Sequence, residues 1–311
     1  MKLYRIDIEP SGGFYTPIKG DTLFGMLCWT IAERFGEQRL TELLTGYADG
    51  KPFAVISDAF PAGYVPKPVL PFPYFKKADG EKEFDPKERK RFKKRVWLPV
   101  SKATLPTNEM ADYFTDTAFM RKRLKTANHV NPETTHADGG AYSCYMIEEI
   151  RYAGTLNVYA VIDESLISAE EIKALFGQIG QMGYGKKASS GGGKFAVSGM
   201  TAVSFANNGA TAFMTLAPCV PASGVFDADK SFYAVFVRFG RHGNAAALSE
   251  NPFKQPVMTM DSGAVLTPKD GIDKTALFVG TGVAGVSLYD KRAVFQGYAP
   301  VIALTAKETT E

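Results

Sequence analysis

Six glycines, three lysines and two serines fall within the sixteen residues GQMGYGKKASSGGGKF, Gly180 to Phe195. Glycine costs more backbone entropy on folding than alanine does, and that cost is tolerated where another backbone must approach closely. Successive exposed N–H groups also form an anion-binding concavity. With Lys186, Lys187 and Lys194 adding charge and Ser189 and Ser190 adding donors, the stretch suits a phosphate chain. The expected contacts are Gly183, Tyr184, Gly185, Lys186, Lys187, Ser189, Ser190, Gly191 and Gly193. A plain surface turn would need only one or two glycines. Gly180–Lys187 also nearly spells the phosphate loop of NTPases, G-x-x-x-x-G-K-[ST]. Lys187 stands where Ser or Thr should hold magnesium, and the loop leaves a helix for a strand, the reverse of that motif's context.

Other constellations are weaker. His129 and His136 lie in NHVNPETTHADGG near Asp138 and offer general acid–base chemistry for RNA cleavage. No partner base stands beside either, so two polar residues in an exposed hairpin is the preferred reading. No third ligand at metal spacing accompanies them, and His242 in GRHGN reads as a turn residue. Glu148–Glu149 and Glu170–Glu171 are adjacent pairs, which do not face each other on a helix or strand. Cys28, Cys144 and Cys219 are far apart and form no CxxC, which argues against a zinc site or a redox pair. No catalytic residue, cofactor or metal is expected.

The whole chain has 36 basic and 33 acidic residues, a net of +3, so the distribution of charge matters more than its sum. Residues 76–95 carry ten basic and five acidic residues, concentrated in KERKRFKKR, with Phe84, Phe92 and Trp97 interleaved. Aromatics stack on unpaired bases while Lys and Arg follow the backbone; a solvated helix face fits the run equally well. Arg121, Arg123 and Lys125 in RKRLK are further candidates for RNA contact. So is Lys19, placed to sit at the N-terminus of the first helix.

These residues need positioning elements. MKLYRIDIEP alternates as a half-buried strand. DTLFGMLCWTIAERFGE reads as a helix with Asp21 as N-cap and an apolar stripe Leu23, Leu27, Ile31. PFAVISDAF and RYAGTLNVYAVID read as strands. SAEEIKALFGQIGQM reads as a helix opened by a Ser168–Glu171 capping box, and GKFAVSGMTAVSF as a strand. Residues 63–150, broken by prolines at first, read as an insertion carrying an arm or hairpin. The order over 1–205 is βαββαβ, that of a ferredoxin-like unit. Residues 206–311 hold short strands with little helix. The expected fold is α+β: two ferredoxin-like (RRM-like) domains, 1–205 and a degenerate 206–311, with a long thumb-type insertion in the first and a glycine-rich loop at 183–193. The start lacks a signal-peptide pattern and no run of about eighteen apolar residues occurs, so a cytoplasmic protein without a membrane span is expected.

The glycine-rich stretch fits G-x-G-x5-G-x-G-x-F at Gly183, Gly185, Gly191, Gly193 and Phe195, and so resembles the loop of the RAMP superfamily of CRISPR RNA-binding proteins. DTLFGMLCW (21–29) is similar to that family's first helix. NPFKQPVMTMDSGAVL (251–266) and VFQGYAPVI (294–302) resemble the C-terminal motifs of its subunit-four branch in type III-A (Csm) effector complexes. The family often has a small polar residue before Asp21, where Gly20 stands here, and the basic arm 76–95 aligns with nothing in it. The resemblance implies a non-catalytic subunit that holds the repeat-derived 5′ handle of the CRISPR guide RNA. It also implies contacts with the large polymerase/nuclease subunit and with a RAMP backbone subunit, and a thumb lying near target RNA. A metal-independent ribonuclease processing guide precursors, and the equivalent subunit of a type III-B complex, stay open as alternatives.

Overall fold

The computed structural model describes every residue except 77–85, 132, 137–143, 206, 244–246, 248–250 and 308–311. Asp138 and Phe84 therefore lie outside the described residues.

The first half is built on β1 (Lys2–Pro10), α1 (Gly20–Phe35), α2 (Glu37–Leu43) and β2 (Ala54–Pro61). Tyr4, Ile6 and Ile8 on one face of β1 and Leu23, Leu27 and Ile31 of α1 are buried, as their periods require, and Leu3 on the opposite face of β1 is buried too. Helix α1 begins one residue before the sequence reading put it, which corrects the N-cap assignment. Lys19 occupies the cap position without a side-chain capping bond to the helix, and Asp21 sits inside the first turn, buried. The cap comes instead from afar: Asp58 Oδ1 accepts from the Gly20 N–H at 2.8 Å. A register shift in β2 between Ile56 and Ala59 turns Asp58 toward the helix. A Cβ on Gly20 would lie 2.2 Å from the Ile56 carbonyl oxygen, so only glycine lets α1 approach β2 this closely.

Next come β3 (Tyr64–Pro66), α3 (Pro86–Lys94), β4 (Trp97–Pro99) and the one-turn α4 (Thr107–Met110). Strands β3 and β4 pair with each other in a short proline-flanked ribbon, and Trp97 of β4 also bridges Thr115. Of the aromatics interleaved with the basic run, Phe92 is interior and Trp97 is half-buried, so neither is fully displayed for stacking on bases. Phe92 is 6% exposed and packs on Phe72, Phe75 and Phe114, and Trp97 sits edge-on to Phe119.

A long antiparallel hairpin follows, β5 (Met120–Asn128) with β6 (Cys144–Tyr152) in register from Met120↔Tyr152 to Asn128↔Cys144. The expected continuous strand 151–163 is broken: β6 ends at Tyr152, Gly154 turns the chain at φ +75°, and β7 (Leu156–Ile162) begins a different sheet. Helix α5 (Ala169–Met182) opens with the Ser168–Glu171 capping box and leads through the glycine-rich loop to β8 (Phe195–Ala202). Strands β2, β7, β1 and β8 form one antiparallel sheet in that order.

The remainder is β9 (Ala212–Thr215), β10 (Val235–Arg238), β11 (Val257–Met260), β12 (Val265–Leu266), β13 (Phe278–Gly280) and β14 (Tyr298–Leu304). Strands β12, β9, β14 and β13 make a second four-stranded sheet, and β10–β11 is a separate ribbon. Met214, Leu216, Ile302 and Leu304 share the core of the first half. Gln296 zips the two halves: its Oε1 accepts from Ile56 N–H at 2.8 Å and its Nε2 donates to Ile56 O at 2.7 Å. The molecule is thus a mixed α+β fold of antiparallel sheets. Among the described residues no helix is long and apolar enough to cross a membrane.

Candidate nucleic-acid interface

The glycine-rich loop is a closed structure. Helix α5 stops where Gly183 N–H donates to Ile179 O. Tyr184 N–H donates to Gly193 O, and Gly193 N–H donates to Gly13 O, so the neck of the loop is stitched to the segment after β1. Lys187 takes the left-handed conformation at φ +65°, rare for a residue with a Cβ, and a single 3-10 turn, Ala188–Ser190, follows. Lys186 N–H donates to Thr16 Oγ1 at 3.0 Å.

Most of the loop's amides are occupied within the protein. The amides of Gly183, Tyr184, Lys186, Ala188, Ser190, Gly191, Gly192 and Gly193 donate inside the protein and do not form an outward cradle. The reason is that backbone donors in a compact loop must be paired, and here the neighbouring backbone pairs them. What faces outward is side chain and the tip of the turn: Lys186, Ser189, Ser190, Gly191 and Lys194 are exposed, and Gly185 and Lys187 are half-buried.

Gly183, Tyr184 and Gly193 are buried. The Tyr184 hydroxyl donates to Pro17 O at 2.8 Å and accepts from the Lys19 N–H at 3.0 Å, tying the loop to the start of α1. Burial holds this phenol protonated, well above its ordinary pKa. Lys19 does not reach outward. Its ammonium lies between Asp58 Oδ2 at 2.8 Å and Asp261 Oδ1 at 2.7 Å. Burial alone would lower its pKa, but the two carboxylates outweigh that and hold it well above the usual value. Arg238 of β10 closes the other side with a two-pronged contact to the Asp21 carboxylate, one prong 2.8 Å long. The second half of the chain therefore fixes the helix end against which the loop rests.

The hairpin carries the other predicted cations. Arg121, Arg123 and Lys125 are exposed and alternate along β5, so they share one face. Arg123 Nε donates to Glu149 Oε2 at 2.5 Å, and Arg151 Nε donates to the same oxygen at 2.9 Å. Glu149 is 2% exposed, and the hydrogen bonds from Arg123 and then Arg151 pull its carboxyl down to about 2. Arg121 and Lys125 have no ion-pair partner among the described residues.

Loop and hairpin meet. The Lys187 ammonium donates to the Tyr145 hydroxyl at 2.5 Å and lies 5.2 Å from that ring's centre. Tyr145 pairs with Ala127, on the same face as Arg121, Arg123 and Lys125. His129 stacks on the Tyr145 ring at 4.8 Å, and His136 is exposed nearby in sequence. Among the described residues no cluster of three or more His, Cys, Asp or Glu side chains is placed to hold a metal. His242 is not a turn residue: it is 6% exposed, with Nε2 2.7 Å from Ser287 Oγ.

Tyr145, Glu149, Thr16, Asp58, Asp261 and Arg238 belong to this assembly and are absent from the sequence-based list. Their partners lie on other elements of the chain, so no local spacing announces them.

No protein-family model matches the chain, and no curated protein matches it. Solved structures do. A chain of the Csm1-Csm4 cassette crystallised with cA4 superposes with a TM-score of 0.63 at 16% identity, covering 100% of both chains. One from the cassette with pppApA gives 0.62 at 18% identity, over 99% of this chain and 100% of that one. One from the Csm3-Csm4 subcomplex of the type III-A CRISPR-Cas interference complex gives 0.56 at 14% identity, over 98% and 99%. Such likeness defines the class of fold. From end to end, the chain is similar in fold to a chain of these Csm1-Csm4 and Csm3-Csm4 assemblies.

Proposed function

We propose that this chain is a non-catalytic, guide-RNA-binding structural subunit of a type III-A CRISPR effector complex. It holds the repeat-derived 5′ handle and bridges the large polymerase/nuclease subunit to the RAMP backbone subunits, with the hairpin near target RNA. The β2-β7-β1-β8 order, with α1 and α5 as crossovers, supports a ferredoxin-like first domain. The helix-poor second sheet supports a degenerate copy.

The carrying observation is the Lys187–Tyr145 contact. It joins the exposed Lys186, Ser189, Ser190 and Lys194 of the loop to the Arg121–Arg123–Lys125 face of the hairpin, giving one basic surface with hydroxyl donors. Such a surface pairs with phosphates and sugars without reading bases. Lys19 and Tyr184 shape it from within. The ribonuclease alternative gains nothing from the placement of His129, whose ring stacks on Tyr145.

Two measurements test this. RNA co-purifying with the tagged chain from its own host should share one repeat-derived 5′ end. Lys186→Ala with Lys187→Ala should lower RNA affinity and flatten its dependence on salt by up to about 1.4 in log–log slope, 0.7 for each lost contact to a single strand. RNA with random ends, or an unchanged slope, would reject the handle-binding role.

A further inference from the structure

The basic helix α3 belongs neither to the loop nor to the hairpin, and the family resemblance does not reach it. Residues 87–95 carry seven cations against the single carboxylate of Glu88. All are exposed apart from Phe92, the one apolar residue of that stretch, which is buried.

The way this helix is held matters. Nine residues are too few to form a stable helix alone. Like charges repeat at i,i+3 and i,i+4, as in Lys90–Lys94, Arg91–Lys94 and Lys90–Lys93, and each such pair destabilises the helix. Tertiary anchoring overrides this. Phe92 inserts among Phe72, Phe75 and Phe114, with ring centres 5.6, 5.4 and 5.5 Å away. The Lys67 ammonium donates to Phe92 O at 2.9 Å and lies 4.3 Å from its ring, placing another cation beside the row. The fold thus fixes the like charges of Lys90, Arg91, Lys93 and Lys94 in place. A merely solvated segment gains nothing from such fixation.

We propose that α3 is a second RNA-binding surface, a row of cations held rigidly for the phosphate backbone of a nucleic acid strand. This rests on the effector-subunit reading only for the choice of RNA as the polyanion. A polyanion relieves the repulsion and releases its own counterions. Nucleic acid is favoured over a protein partner because the outward face offers no apolar anchor: Phe92 points in, and the remaining side chains of 87–95 are charged. A protein interface would need buried aromatic or aliphatic hot spots there.

The test replaces Lys90, Arg91, Lys93 and Lys94 with Gln in the full chain and leaves Phe92 intact. The ligand is a single-stranded RNA carrying a repeat-derived 5′ end, titrated at several salt concentrations. If all four side chains meet phosphates, the log–log salt slope falls by about 2.8. Affinity at low salt drops tenfold or more, while the melting temperature holds or rises because repulsion is removed. Wild-type slope and affinity in the variant would overturn the proposal. If Lys186→Ala with Lys187→Ala still weakens binding in the same assay, the loop reading survives that failure. If instead the variant binds RNA normally but no longer co-purifies with the co-expressed large subunit, α3 is an acidic-protein contact and the RNA proposal is wrong.

Discussion

The Lys187 ammonium and the Tyr145 hydroxyl are 2.5 Å apart, although 42 residues separate them in sequence. The bond joins a tight loop to the turn-proximal end of the hairpin's paired strands. It also accounts for a lysine at φ +65°, where glycine would be at ease: the side chain is needed on the far side of the gap. Tyr145→Phe removes the acceptor and keeps the ring on which His129 stacks. Expected is a stability loss at or below about 0.5–1.5 kcal/mol, the net value of one hydrogen bond, with a several-fold loss of RNA affinity. A double-mutant cycle with Lys187→Met should show non-additive RNA binding; strict additivity would mean the contact does not register the loop against the hairpin.

Lys19 is the centre of a buried charge cluster. Asp58 is only 5% exposed in its side chain, so Lys19→Met leaves a carboxylate in the interior with no cation beside it. Removing one partner of such a pair costs about 3–5 kcal/mol. Asp261→Asn should cost much less, since that side chain is 44% exposed. Denaturant unfolding of the two variants decides this. Equal, small losses would show that Lys19 is not the counter-ion on which Asp58 depends, and Lys19→Met with Asp58→Asn should recover part of the loss.

Much of this arrangement is legible in the sequence, and the remainder fails for one physical reason. Periodicity marks β1 and the stripe of α1. The spacing of Ser168 and Glu171 marks the start of α5, and glycine spacing marks the loop. Each of these signals is local. The partners of Lys19, Asp21, Arg123 and Lys187 are Asp58 with Asp261, Arg238, Glu149 and Tyr145, brought in by bulges, registers and crossovers that no window of residues records. Asp21 read as a cap because acidic residues before a helix usually cap it; the cap came from the β2 bulge instead. The loop amides read as an anion cradle because glycine and lysine alternate, yet glycine spacing cannot tell an open nest from a loop that bonds to its neighbours.

Glu149 supplies a pH test. Its folded-state carboxyl, held to about 2 by Arg123 and Arg151, lies below the ordinary 4.5. A depressed carboxyl stabilises the fold fully above the unfolded value, and the contribution is lost as pH falls from about 4.5 to about 2. Thermal unfolding between pH 6 and 2 should show wild type losing more stability across that window than Glu149→Gln, which starts lower at neutral pH. Parallel curves would show that the ion pairs of the hairpin base do not stabilise it.

The neck of the loop makes the sharpest contrast. Gly191 and Gly193 both have φ in the left-handed region, +82° and +70°, so alanine is strained at either by about 1–2 kcal/mol. Their surroundings differ. A Cβ on Gly191 meets nothing within 4 Å, whereas one on Gly193 would lie 2.1 Å from Tyr184 O and 2.6 Å from Tyr184 N. Gly193→Ala must therefore separate the Tyr184–Gly193 pairing and disturb the Gly193–Gly13 bond, opening the neck. Expected is a clearly larger drop in melting temperature for Gly193→Ala than for Gly191→Ala. RNA affinity should also be lost in the former, because Lys186 and Lys187 leave their places against Thr16 and Tyr145. If Gly193→Ala proves as mild as Gly191→Ala in both measurements, the neck is not a closed joint, and the loop's glycines would have to be explained by the ligand alone.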